Sequence, residues 1–134
     1  MKKDIVFHTL DEVIITVAKE LTQELEIVWN VYFINRSQET LENVLVTSEG
    51  YGVIDGENRK TSVLRHNLGT IKAGKHQLIE AITEQVFVLN NEYWASFYIG
   101  NQIYDKRFIF KENTIVEENL VRIPELGMLG KLVD

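Results

Sequence analysis

The chain has no cysteine, one proline (Pro124), few basic residues and no long apolar run in its 134 residues. The missing cysteines exclude disulfides, thiolate-ligated zinc, iron–sulfur clusters and thiol catalysis. None of these is needed for folding, because a single domain of this length buries about 65–70% of its unfolded surface. The longest apolar stretch, residues 13–18, is interrupted by Thr16 and is far too short to cross a bilayer, so no membrane association is expected. The first residues carry Lys2 and Lys3, but Asp4, His8, Asp11 and Glu12 follow where a secretory leader would have an apolar core. The expectation is a soluble, cytoplasmic protein.

Positive charge is also scarce. The balance is 14 basic against 20 acidic residues, net −6, and the basic residues are dispersed as Arg59-Lys60, Lys72, Lys75 and Lys106-Arg107. Nucleic-acid affinity rests largely on Lys and Arg neutralising phosphates, so no nucleic-acid partner is expected.

Catalytic signatures are missing as well. Ser62 and Ser96 lack the G-x-S-x-G context of a nucleophile elbow. Gly50-Tyr51-Gly52 does not open into the helix that a phosphate cradle requires. Glu117-Glu118 are adjacent, and neighbouring side chains point apart, so they do not form an acid–base pair. The three histidines, His8, His66 and His76, have no partner at helical ligand spacing, and no metal or cofactor is expected. His66 in Leu64-Arg65-His66 is the one histidine with a candidate role, the alternative being a strand histidine satisfied by its neighbours.

What is present is β-patterning. Residues 13–18, 27–34, 41–47, 61–68 and 76–82 read as strands rich in β-branched and aromatic residues. The stretches 50–52 and 55–58 read as loops, and 83–89 as a short helical turn, because Ile82, Val86 and Leu89 follow helical spacing. Residues 90–110 form the clearest unit, two aromatic runs flanking Gly100-Asn101, which predicts a β-hairpin with a two-residue turn. Counting back from that turn pairs Tyr98 with Ile103, Phe97 with Tyr104, Ala95 with Lys106, Trp94 with Arg107 and Tyr93 with Phe108. Tyr93, Ala95, Phe97, Ile99, Tyr104 and Phe108 then share the core face, where Lys106 must snorkel or a bulge must shift the register. Trp94, Tyr98, Ile103 and Arg107 share the other face, with Trp94 over Arg107 as a cation–π pair. Exposed aromatics beside arginine mark binding hot spots; the alternative is that this face is covered or packs on itself.

About seven strands with turn signals every 8–12 residues predict an all-β, antiparallel two-sheet sandwich, with Trp29, Val31, Phe33, Val44, Val46, Phe97 and Tyr104 in its core. The sandwich domain is expected over residues 1–112. Residues 113–134 are expected as an apolar C-terminal extension carrying Leu126, Met128 and Leu129. Such an extension needs cover, and docking on the Trp94/Tyr98 face, within the chain or across a homodimer, is the expected solution.

Two pieces carry a resemblance. Val28-Trp29-Asn30-Val31-Tyr32-Phe33-Ile34-Asn35 with Leu41-Glu42-Asn43-Val44-Leu45-Val46, and the turn Leu68-Gly69-Thr70-Ile71-Lys72-Ala73-Gly74-Lys75, resemble paired strands of immunoglobulin-like and adhesion-type sandwiches. Tyr93 is similar in placement to their tyrosine corner. The pattern Asn90-Asn91-Glu92-Tyr93-Trp94 … Ser96-Phe97-Tyr98-Ile99-Gly100 … Ile103-Tyr104-Asp105-Lys106 is similar to a family of short uncharacterised bacterial proteins, some of which carry the name phenylalanine–tRNA ligase α chain. The resemblance implies an immunoglobulin-like sandwich and, through that name, a translation-related accessory role. The residues themselves favour a non-enzymatic protein-interaction or self-association module. The alternative is a small-ligand-binding protein or enzyme with a pocket near Tyr51, His66 and Trp94.

Overall fold

The computed structural model describes residues 9–134. The N-terminal lysines and His8, considered above for a leader and for metal ligation, lie outside the described residues. Ten strands run in the order β1 (Val13–Leu21), β2 (Ile27–Asn35), β3 (Leu41–Ile54), β4 (Glu57–Lys60), β5 (Leu64–Ile71), β6 (His76–Ile82), β7 (Asn90–Ile99), β8 (Gln102–Phe110), β9 (Val121–Ile123) and β10 (Met128–Lys131). They form two antiparallel sheets. One has the order β6-β2-β1-β10-β9; in the other, β3 pairs with β7 and β7 with β8, while β4 and β5 share the remaining edge of β3. The expected all-β, two-sheet sandwich is therefore present, with ten strands among the described residues where about seven were expected.

The core lies where the period-two pattern of each strand turns inward. Val13, Ile15, Val17, Trp29, Val31 and Phe33 from the first sheet meet Val44, Val46, Tyr93, Ala95, Phe97 and Phe108 from the second. Tyr104 differs from the expectation: it packs against this cluster while only partly buried, near the turn end of β8, whereas Phe108 and Phe110 farther along that strand are buried. The short 3₁₀ turn Glu84–Val88 fills the position expected for a helical turn. It closes one end of the sandwich by setting Phe87 edge-on against Trp29, ring centroids 5.1 Å apart, while Glu84 accepts a hydrogen bond from the indole nitrogen at 3.2 Å.

Two expectations about loops change. The stretch 50–52 lies inside β3, which continues to Ile54, and 55–58 holds a tight hairpin. Asp55 (φ 53°) and Gly56 (φ 78°) both take the left-handed conformation that a primed two-residue turn demands, and Asp-Gly is one of the pairs that suits it. In the β7–β8 hairpin the register is the one predicted, and Gly100 takes φ 62°.

The C-terminal segment is also different. It contributes β9 and β10, and β10 pairs antiparallel with β1, Val17 opposite Lys131 and Ala18 opposite Gly130. Thr16 donates its hydroxyl to the Lys131 carbonyl at 3.0 Å, and Ile115 belongs to the core cluster. The segment after residue 112 lies on the sandwich as two further strands of the first sheet. A free edge of β1 would leave a row of unpaired backbone groups, and β10 pairs with the stretch Val17–Lys19 of it.

Candidate functional site

Two separate places gather the chemistry-bearing side chains. The first is the outer face of the sheet containing β3, β7 and β8. Trp94 pairs with Thr47 on one side and Arg107 on the other, and Tyr98 pairs with Glu42 and Ile103, so all lie on one face. The Arg107 guanidinium sits 4.5 Å from the Trp94 ring centre, the cation–π pair expected from the register. Glu92, two residues from Trp94 on the same face, lies 3.8 Å from Arg107 Nε and accepts the Tyr51 hydroxyl at 3.2 Å. Burial, followed by the charge of Glu92, raises the Tyr51 hydroxyl above its ordinary pKa. Trp94 remains 43% exposed, Ile103 53% and Leu45 39%.

Leu126, Met128 and Leu129 do not join this face. They belong to the β9–β10 end of the other sheet, so within the chain the tail adds to β1 as a strand and does not lie on Trp94 and Tyr98. Leu126 and Met128 are partly buried there, and Leu129 is 46% exposed.

The second place is the inner side of the opposite edge, where β6 approaches β3, β5 and β7. His66 pairs with Val46 and Ser48 with Tyr93, which puts His66, Ser48 and Tyr93 on the core side of their sheet. Glu80 reaches them from β6 of the other sheet. Its carboxylate accepts the Tyr93 hydroxyl at 2.7 Å and the Ser48 hydroxyl at 3.2 Å, and His66 Nε2 lies 3.0 Å from it. Burial, then the neighbouring Glu80 charge, pushes the Tyr93 hydroxyl far above its usual pKa, so it stays protonated and donates to Glu80. In the tyrosine corner suggested by the resemblance, this hydroxyl would bond to upstream backbone; here it serves a side chain and ties the sheets together.

Ser48, His66 and Glu80 are the residue types of a hydrolytic triad, but not its geometry. Ser48 Oγ lies 3.4 Å from His66 Nε2, the same nitrogen that faces Glu80. A ring nitrogen donating its proton to Glu80 cannot also accept one from Ser48, whereas a triad uses the two nitrogens separately. The cluster therefore holds a carboxylate in place and does not have the arrangement of a triad.

Beside it lies a cleft of about 310 Å³ lined by Ser48, Thr61, Ser62, Leu64, Glu80, Ile82, Val86, Asn91 and Tyr93 among others. It lies where β3 changes partner, from β5 up to Ser48 to β4 from Tyr51 onward. Gly50 anchors the linker between β4 and β5: its N–H binds Thr61 Oγ1 at 2.7 Å, and a Cβ there would meet the Thr61 methyl at 3.1 Å. The pocket expected near Tyr51, His66 and Trp94 does not form as such, since Tyr51 and Trp94 face outward and His66 inward.

Of this cluster the sequence singles out His66 as a candidate and Tyr93 as a core residue of the hairpin. Ser48 and Glu80 come from two other strands, so no spacing announces them. The available signal was register alone: Ser48 continues the inward series Val44, Val46. Among the described residues no group of three His, Asp or Glu side chains converges as metal ligands, and no helix is long and apolar enough to cross a membrane. Comparison with protein-family models, with curated proteins and with solved structures finds no match.

Proposed function

We propose that the protein is a non-enzymatic interaction module whose contact surface is the outer face of β3, β7 and β8. The observation that carries this reading is the Trp94–Arg107 pair, held across β7 and β8 and left open to solvent between Leu45 and Ile103. An immobilised aromatic and an arginine lose little conformational freedom on contact, which is why such residues dominate binding energy. The face carries both signs, Glu49, Glu92 and Asp105 with Arg65 and Arg107, and so offers charge partners to a rotated copy of itself. Lys19, Arg36, Arg59, Lys60 and Arg107 each stand near a carboxylate, which argues against a nucleic-acid partner.

Strand order supports an immunoglobulin-like version of the sandwich. Taking β1, β2, β3, β5, β6, β7 and β8 as A, B, C, C′, E, F and G gives sheets E-B-A and C′-C-F-G, with β4, β9 and β10 as additions. The proposed face is then that of the C-F-G sheet.

The test is the oligomeric state across concentration. Sedimentation velocity should show reversible self-association that Trp94→Ala weakens at least about ten-fold, as expected for loss of a hot spot. A wild-type protein that stays monomeric to millimolar concentration, with an unshifted Trp94 indole resonance, would remove self-contact from this reading.

A further inference from the structure

We infer that the cleft beside Glu80 binds a small organic cation, a primary ammonium group carried on a short apolar body. This site lies on the opposite edge of the sandwich from the Trp94 face and does not depend on the interaction reading. Three features argue for it. The first is a fixed anion: Tyr93, Ser48 and His66 hold the Glu80 carboxylate from three directions, leaving its side chain only 13% exposed. A carboxylate offers about four acceptor positions, so one remains for a ligand. The second is sign: the residues lining the cleft include Glu80 and no lysine or arginine, so an anion finds no counter-charge there. The third is shape. Leu64, Ile82 and Val86 give the same cleft an apolar wall, and about 310 Å³ is at the small end of ligand sites. An ammonium ion at Glu80 would leave its hydrocarbon portion against that wall, with Ser62 at the mouth. A charge pair in a partly dried cleft is stronger than one on the surface, and the fixed carboxylate needs no reordering to receive it.

The probes are n-butylamine and benzylamine, with butyrate and benzoate of matching shape and opposite charge. Nα-acetyl-lysine N-methylamide presents the same ammonium group as a peptide side chain, and tighter binding of it than of the free amines would assign the source to a peptide lysine. Titration followed by amide resonances of Ser48, Leu64 and Tyr93 should show saturable shifts for the amines and none for the carboxylates. Glu80→Gln should weaken amine binding about ten-fold or more, the loss of one favourable charge pair. Ser62→Phe fills the mouth without touching the Glu80 cluster and should abolish the shifts. If Glu80→Gln proves unfolded by circular dichroism, Ser62→Phe and the amine–carboxylate contrast still decide. Equal binding of both charge types, no saturation by any amine, or full binding to Ser62→Phe would each overturn the assignment.

Discussion

Lys106 shows how one side chain can connect two sheets. It points toward the core from β8, yet the β7–β8 register is unbroken, so the alternative of a bulge is not used. Instead Nζ crosses to the start of β1 and donates to the carbonyls of Leu10 at 2.7 Å and Val13 at 2.9 Å, passing 5.1 Å from the Phe108 ring centre. Burial lowers its pKa, partly opposed by the charge of Asp11. An inward charge on an edge strand also deters pairing with another chain. Lys106→Met keeps the stem and deletes the donors. It should cost about 1–3 kcal/mol, the penalty for stranding partly buried acceptors, read as a lower urea midpoint at unchanged slope. A variant as stable as wild type would reduce Lys106 to a tolerated edge charge. The conflict between a lysine and a core register was visible in the sequence; the two carbonyls that resolve it were not, because they belong to a segment nearly a hundred residues away.

At the scale of elements, local rules were legible and partnerships less so. The β7–β8 hairpin follows from Gly100-Asn101 and its aromatic flanks. Asp55-Gly56 carries an equally local signal, yet the polar residues after it disguise β4, an edge strand exposed along its whole length. The turn after β9 is another case, where Gly127 takes φ 64° and lets the chain reverse into β10. That turn is tied to the end of β2 by Arg36, which donates to both oxygens of Glu125, Nη2 to Oε1 at 3.0 Å. The Arg36 hydrogen bond, more than any other influence, holds the Glu125 carboxyl below the ordinary value of 4.5. The sign follows. A carboxyl depressed in the folded state contributes fully above the unfolded value near 4.5 and loses that contribution as pH falls through its folded value. The pair is partly exposed, so its worth is about 0.5–1 kcal/mol. Glu125→Gln should therefore be less stable than wild type by that amount at pH 7, and the two urea midpoints should converge as pH falls from 4.5 through the folded value. A difference that persists unchanged at pH 3 would show that Glu125 acts through packing.

The last strands decide whether the molecule is a sandwich with an appendage or a sandwich that needs its C-terminus. Sequence pattern favours the former, because β9 and β10 are only three and four residues long, too short to display alternation. The apparent breakers there have structural jobs. Gly130 lies opposite Ala18 in β1, where a Cβ would stand 2.4 Å from Thr16 Oγ1 and 3.0 Å from an Ile123 carbon. Thr16, Ala18 and Ile123 are all fully buried, so a close approach of backbones seals this side of the sheet. Deleting residues 114–134 would expose Thr16 and Ala18, remove Ile115 from the core and turn β1 into a free edge. Loss of Ile115 and Ile123 alone forfeits about 1.5–3 kcal/mol each, a large share of the 5–15 kcal/mol typical of a domain. The truncated chain should aggregate or melt at least about 10 °C lower in scanning calorimetry. Gly130→Val tests the same contact within the full-length chain: its clash should force β10 off β1 and raise amide exchange in residues 16–19 before the rest of the sheet. If both variants kept the wild-type melting temperature and exchange pattern, the first sheet would be stable without β9 and β10, and the covering role assigned to Gly130 and Ile123 would be wrong.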